Sequence, residues 1–177
     1  MNLIKTVSGL LMGLVLISSV IAETRNPGEH FFDQSFGDFS EELSNAREQD
    51  KQGILIMFEM DECPFCHRMK TTILNQVDVQ DYYKQHFLIF SVDIEGDVEI
   101  VDFQGQSMSM KDFAFKQYRV RATPVFQFFD LQGKPIKRAR FTGASSGVEE
   151  FMLLGQYVVE GAYKNNSFTR YKRGKRQ

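Results

Sequence analysis

The chain has 177 residues and a formal net charge of −2 at pH 7. This length leaves room for one domain with a substantial core and excludes a large multidomain enzyme. The charge is unevenly distributed, because residues 23–163 carry 14 basic and 23 acidic side chains, whereas residues 164–177 carry six basic side chains and no acid. A chain with such an acidic body is not expected to bind nucleic acid.

The first 22 residues have the pattern of a secretory signal peptide. Lys5 supplies the positive charge, an apolar stretch runs from Leu10 to Ile21, and Ala22 ends a cleavage site of short side chains. This stretch is shorter than the ~20 residues of a membrane-spanning helix, so cleavage is favoured over the alternative of a retained anchor. The sequence therefore predicts a signal peptide over residues 1–22 and a periplasmic or secreted mature protein.

The rest of the chain divides into three parts by composition. Residues 23–37 are polar and contain the turn signal Asn26-Pro27-Gly28, which predicts a flexible lead-in. Residues 38–163 are predicted to form one domain, and the basic residues 164–177 a disordered tail. No second domain that could support dimerisation is visible, and a monomer is expected.

Hydrophobic periodicity predicts alternating helices and strands within residues 38–163. Helical spacing predicts helices at 38–52, from Cys66 to about 74, at 109–118 and at 148–163. Short apolar runs predict strands at 54–58, 87–92, 125–129 and 136–141. Alternating residues before Gly105 predict a small β-hairpin inserted between 93 and 107. This order is typical of an α/β fold with a mixed central sheet flanked by helices.

The two cysteines, Cys63 and Cys66, stand where the first predicted strand gives way to a helix. A bridge across two residues closes too small a loop to stabilise an exported fold much, so a structural staple is a poor explanation. A cysteine in the first turn of a helix lies among unpaired N–H groups at the positive end of the helix dipole, which favours its thiolate. The sequence therefore predicts Cys63 as the nucleophile and Cys66 as the resolving thiol.

Together these features resemble the thioredoxin superfamily over roughly residues 38–163. The resemblance rests on the buried strand, on the segment Cys63–Cys66 opening a helix, and on Thr123-Pro124 at the start of a later strand. It implies a thioredoxin fold in which Pro64 and Phe65 form the active-site loop. It also implies a cis Thr123–Pro124 bond beside the cysteines, with the backbone of Thr123 pairing with an extended substrate. The implied activity is thiol–disulfide exchange with dithiols and disulfides of exported proteins, without a cofactor.

A finer similarity is to the SoxW-type exported thioredoxin-related proteins, carried by Gly96-Asp97 and by the segments 118–124 and 157–159. It implies a reductase that receives electrons from a membrane protein. The chain departs from thioredoxins in having Met57 where they have a buried aspartate, and Glu62 where they have a tryptophan. Glu59 or water would then serve proton transfer at Cys66.

Two other functions remain open from the sequence. The residues from Cys63 to His67 match the C-x-x-C-H motif that attaches haem c, although Thr123-Pro124 would have no role in a cytochrome. His67 could also join methionines in a copper site, although methionines in such positions are more often core residues; the candidates are Met57, Met60, Met69, Met108 and Met110. The direction of electron flow also stays open, because reductase, oxidase and isomerase use the same two sulfurs.

Overall fold

A computed structural model describes residues 23–175, so the predicted signal peptide lies outside the described residues. The helices are α1 (Pro27–His30), α2 (Phe39–Glu48), α3 (Pro64–Thr72), α4 (Val77–His86), α5 (Met110–Asp112, continued by a π-helical turn over Phe113–Gln117), α6 (Val148–Val159) and α7 (Phe168–Lys175). The strands are β1 (Gly53–Glu59), β2 (Phe87–Asp93), β3 (Glu99–Val101), β4 (Ser107–Ser109), β5 (Val125–Phe129) and β6 (Phe141–Thr142). Between residues 23 and 175, no helix is both long and apolar enough to cross a bilayer.

The central sheet contains four strands in the order β2-β1-β5-β6. Strand β1 runs parallel to β2, with Gly53 opposite Phe87, and antiparallel to β5, with Phe58 opposite Val125. The mixed α/β sheet predicted from the sequence is therefore confirmed, and β3 and β4 form the predicted separate hairpin. Because β1 and β5 are antiparallel, the end of β1 and the start of β5 lie at the same edge of the sheet.

The sheet separates two apolar clusters, and β1 contributes to both. Leu55 and Met57 pack on the face covered by α3, α4 and α6. Ile54, Ile56 and Phe58 pack on the opposite face, under α2 and the β3–β4 hairpin. Burial on both faces explains why β1 is a continuous apolar run rather than an alternating one. Each fully buried aliphatic or aromatic side chain contributes about 1.5–3 kcal/mol.

Two elements differ from the sequence prediction. The strand predicted at 136–141 is reduced to β6, because the chain forms a 3₁₀ turn over Lys137–Ala139 before it rejoins the sheet. The connection between β1 and β2 contains a second helix, α4, that the periodicity did not predict. It begins after a break at residues 73–76, where the N–H of Val77 bonds to the carbonyl of Glu23 rather than continuing α3.

The segment 23–37, predicted to be a flexible lead-in, is packed against the domain. Thr24 forms a β-bridge with Gln76, and the side chain of Phe31 is fully buried. The backbone N–H of Asp33 donates to the carbonyl of Ile89. The side-chain carboxylate of Asp33 in turn accepts from the backbone N–H of Ile89. The polar composition of the segment concealed this anchoring, which depends on one buried aromatic ring and one edge of β2.

The predicted disordered tail also contains ordered structure, since residues 168–175 form α7. Phe168 and Tyr171 pack their rings against Tyr157 of α6, with centroid distances of 5.5 and 5.3 Å. Two basic residues of this helix pair with acids: Lys172 with Glu150 in α6, and Lys175 with Glu160 directly after α6 at 2.9 Å. Part of the basic charge of the tail is therefore matched by acidic charge on the surface beneath it.

Candidate active site

Cys63 occupies the N-cap position of α3, directly after the loop that leaves β1. Its backbone is extended, and its sulfur accepts a hydrogen bond from the N–H of Cys66 at 3.0 Å. Pro64 follows at the first helical position, where the missing N–H costs nothing. The sequence thus places the Cys63 sulfur among the unpaired N–H groups of a helix start, where negative charge is stabilised.

The two cysteines are joined to each other in a disulfide, with their Cα atoms 5.2 Å apart. Both are nearly buried, with exposed fractions of 5% for Cys63 and 2% for Cys66. In this oxidised form neither cysteine is a free thiol. The disulfide belongs to the apolar cluster that contains Met57. Its reduction to two thiols would take up two electrons.

Phe65, between the cysteines, projects into solvent and is 57% exposed. Asp61 and Glu62, directly before Cys63, are also exposed. An exposed aromatic ring beside two carboxylates is a surface that a partner with apolar and cationic groups around its own disulfide would contact.

Glu59, the last residue of β1, is a partly buried acid beside the disulfide. Its two carboxylate oxygens lie 2.8 and 2.6 Å from the ammonium of Lys70 on α3, and one of them accepts a hydrogen bond from the hydroxyl of Ser91 on β2. The same carboxylate lines a cavity of about 120 Å³ with both cysteines and His67. The structure therefore places a carboxylate in the cavity beside the disulfide.

Sequence reasoning named Glu59 but missed the two residues that hold it. Lys70 follows Cys66 by four positions, so it lies one helical turn further along the same face of α3. This spacing is the signal that could have found it. Ser91 lies on another strand, and only the parallel register of β1 with β2 brings it opposite Met57 and within reach of Glu59.

The Thr123–Pro124 peptide bond is cis and immediately precedes β5. Since Val125 pairs with Phe58, this bond lies at the sheet edge from which the chain leaves β1 toward Cys63. The hydroxyl of Thr123 is buried and has no hydrogen-bond partner among residues 23–175. Topology therefore brings both sequence-predicted segments, 63–66 and 123–124, to the same end of the sheet.

The methionines considered for copper do not form one group. Met57 and Met69 are buried in the cluster around the disulfide, and the sulfur of Met69 accepts a hydrogen bond from the N–H of Ser145. Met108 and Met110 pack on the other side of the sheet. Within the described residues, moreover, no three His, Cys, Asp or Glu side chains come together as a metal-binding group. Met57 and Met69 are therefore core residues and Met108 and Met110 are half-buried, whereas Met60 and His67 line the cavity beside the cysteines.

Comparison with known families gives one match, to a family model described as a thioredoxin-like domain, over residues 39–158. That range includes both cysteines and the cis proline. No curated protein matches the sequence significantly.

Solved structures share the fold at low identity. A thioredoxin-fold protein from Helicobacter pylori is 23% identical with a TM-score of 0.58, covering 71% of this chain and 85% of that one. A DsbH oxidoreductase is 20% identical with a TM-score of 0.55, over 90% of this chain and 96% of its own. A putative disulphide isomerase from Bacteroides thetaiotaomicron is 24% identical with a TM-score of 0.53, covering 75% and 95%. At such identities the likeness is one of fold.

Proposed function

The chain belongs to the thioredoxin-like family, and on that premise we propose that it is a thiol–disulfide oxidoreductase that reduces disulfides of exported proteins. The observation that carries the proposal is the Cys63–Cys66 disulfide at the N-terminus of α3. The signal-peptide pattern of residues 1–22 supports an exported location, periplasmic or secreted. The finer similarity to SoxW-type proteins stays a prediction, as does a membrane protein as electron donor.

In the reduced protein the Cys63 thiolate attacks one sulfur of a substrate disulfide. The substrate S–S bond breaks, a mixed disulfide forms with Cys63, and the departing substrate sulfur takes up a proton. Cys66 then loses its proton and attacks the Cys63 sulfur, which re-forms the Cys63–Cys66 disulfide and releases the second substrate sulfur as a thiol. Two electrons and two protons have passed to the substrate, so a dithiol donor must reduce the pair again.

We assign Glu59 as the group that accepts the proton lost by Cys66. Its carboxylate lines the cavity of about 120 Å³ that also contains both cysteines. Lys70 and Ser91 hold the carboxylate in place, so it can accept a proton directly or through one water molecule in that cavity. Met57, buried in the apolar core, has no group that could do this.

The substrate is proposed to approach over Phe65 and along the backbone of Thr123. An extended segment can pair with exposed main-chain groups beside a cis proline in the manner of an added strand. The carboxylates of Asp61 and Glu62 favour a substrate with neutral or basic residues near its disulfide.

The direct test is catalysis of insulin disulfide reduction by dithiothreitol. The wild type should accelerate the reaction, and Cys63→Ser should abolish the acceleration because no mixed disulfide can form. Thr72→Ala is the matched control, since Thr72 is exposed on the same helix but does not line the cavity with the cysteines. A wild-type rate equal to the uncatalysed one would refute the proposal. Equal loss of activity in Thr72→Ala and Cys63→Ser would mean that both substitutions act by disturbing the helix.

A further inference from the structure

A cavity of about 330 Å³ lies beside β5, away from the cysteine pair, with Gln127 in its wall. Its lining contains three cationic side chains, those of Arg119, Lys137 and Arg140, and no acidic one. The volume falls within the roughly 300–1,000 Å³ of small-molecule sites. A cationic cavity of this kind is unusual in a body where acids outnumber bases.

The positive charge of this cavity is not neutralised within residues 23–175. Some other cations in those residues do pair with acids, as in Lys84–Asp33 and Lys116–Asp112, both at 2.7 Å. The side chains of Arg119 and Lys137 have neither an ion pair nor a hydrogen bond in the described part of the chain. Arg140 donates only to a neutral group, the carbonyl of Tyr118 at 2.7 Å, and its burial lowers the pKa of its guanidinium.

One buried acid, Asp102, lies near this region but is not part of the cavity lining. Its carboxylate accepts from the backbone N–H groups of Gln104 and Gln106 at 2.8 and 2.9 Å, and from the side-chain amide of Gln117 at 2.6 Å. These neutral donors leave the negative charge of Asp102 in place but hold its carboxylate on the turn of the β3–β4 hairpin. The lining of the cavity therefore contains three cations and no acid.

Arg119 also has a backbone conformation that side chains rarely adopt. Its φ is 52°, in the left-handed region that costs a non-glycine residue energy. Hydrogen bonds from Arg119 to the carbonyl of Phe115 and from Val120 to that of Ala114 hold the turn on either side. Arg119 follows the C-cap residue Tyr118, and a left-handed residue with this hydrogen-bond pattern commonly ends a helix, so the fold fixes where its side chain begins.

We propose that this cavity binds a small organic oxyanion, whose carboxylate or phosphate oxygens accept hydrogen bonds from Arg119, Lys137 and Arg140. Guanidinium groups match the planar, two-oxygen geometry of such anions, and charge-assisted hydrogen bonds are the strong class. The cavity is larger than one inorganic ion needs, so a ligand with several oxyanion groups fits it best. The site is separate from the disulfide exchange and does not depend on it.

The test is an NMR titration of the ¹⁵N-labelled wild type with three probes: citrate, inorganic phosphate and a tetraglutamate peptide. Saturable shifts at Arg119, Gln127 and Arg140 with citrate or with phosphate support the proposal. Binding of the peptide alone would overturn it, because the occupant would then be an acidic protein segment rather than a small anion. Lys137→Gln and Arg119→Gln should each weaken binding about tenfold.

Arg138→Gln is the matched control, because it removes the same charge one residue from Lys137. Arg138 donates to the carbonyls of Tyr163 and Lys164, outside the cavity. The Arg138→Gln variant should bind the probes with the same affinity as the wild type. The absence of saturable shifts with all three probes would overturn the proposal, as would equal weakening in Arg138→Gln and Lys137→Gln. Insulin reduction by each variant should match the wild type, so failure here leaves the redox proposal untouched.

Discussion

The ammonium of Lys70 lies 2.6 Å from a carboxylate oxygen of Glu59, and this ion pair forms one wall of the cavity beside the disulfide. The pair links the end of β1 to the helix that carries both cysteines. It holds the Glu59 side chain beside the cavity that Cys66 also lines.

Glu59→Gln should slow turnover in insulin reduction by about 10²-fold, because an amide cannot accept the Cys66 proton. The initial attack by Cys63 needs no such acceptor, so single-turnover formation of the mixed disulfide should stay close to the wild-type rate. Glu95→Gln removes an exposed acid that does not line the cavity with the cysteines, and it should change neither rate. Equal slowing of both steps in Glu59→Gln would mean that the carboxylate only supports the fold.

Cys63 should react first when the reduced protein is alkylated at mildly acidic pH. Its sulfur faces the N–H groups that open α3, which favours the reactive thiolate, whereas Cys66 lies one turn inside the helix. Peptide mapping after brief exposure to iodoacetamide measures the order. Cys66→Ala should accumulate mixed disulfides with partner proteins, and Cys63→Ala should accumulate few. The reverse pattern would exchange the two roles.

The reduction potential should lie in the range of glutaredoxins and thioredoxins, roughly −200 to −270 mV, rather than near the ~−120 mV of a dedicated oxidant. Phe65 offers no hydrogen bond to a Cys63 thiolate, and the negative charges of Asp61 and Glu62 disfavour that thiolate. The reduced form therefore gains little stabilisation from its surroundings. Equilibration with glutathione measures the value. Phe65→His should make it less negative, and Phe65→Leu should leave it unchanged. A wild-type value above about −150 mV would indicate an oxidase.

Acid should release α7 from α6 before the domain unfolds. Burial alone would raise the pKa of Glu150, but hydrogen bonds from Lys172 and Ser146 outweigh it, and the pKa is lowered from 4.5. The ionised carboxylate therefore stabilises the docked helix above pH 4.5, and this contribution is lost as the pH falls through the lowered pKa.

Hydrogen exchange of the α7 amides between neutral pH and pH 3 measures this release. Glu150→Gln should weaken the docking at neutral pH by roughly 1–2 kcal/mol and flatten its pH dependence. Glu41→Gln, an exposed acid on α2, should do neither. Acid release of α7 that is identical in Glu150→Gln and the wild type would contradict this assignment.

Gly155 allows α6 to pack closely on α4. A Cβ at this position would come within 2.9 Å of ring atoms of Tyr82 and Tyr83, and the Tyr83 ring is fully buried. Gly155→Ala should therefore destabilise the domain by about 1–3 kcal/mol despite the better helix propensity of alanine. Gly174→Ala, in α7 with open space around its Cα, should stabilise its helix by up to about 1 kcal/mol. Thermal unfolding of both variants compares the two effects.

The parts of the fold that the sequence predicted are those with strong local signals. The buried strand β1 follows from an unbroken apolar run, and the site from two cysteines spaced by one helical turn. The hairpin β3–β4 follows from alternation before Gly105. In each case the residues that determine the structure are neighbours in the chain, so periodicity is sufficient.

The parts that the sequence did not predict depend on distant contacts. Phe31 anchors the N-terminal segment only because Tyr83 and Phe151 lie beneath it. The basic tail is helical because Glu150 lies opposite Lys172. Ser91 likewise reaches Glu59 only through the register of β1 with β2. Composition describes such segments as polar or basic, but their partners are fixed by tertiary packing.

The central sheet acts as a partition between redox chemistry and the accessory face of the protein. The disulfide, α3 and the helices that support it lie on one side, and the β3–β4 hairpin with α2 lies on the other. The separation is incomplete at one place, because Val98 and Ile100 line a cavity of about 400 Å³ together with Glu59 and Lys70. A mutation that reshapes the hairpin there would therefore reach the acid assigned to the proton of Cys66, whereas a mutation near the tip at Gly105 would not.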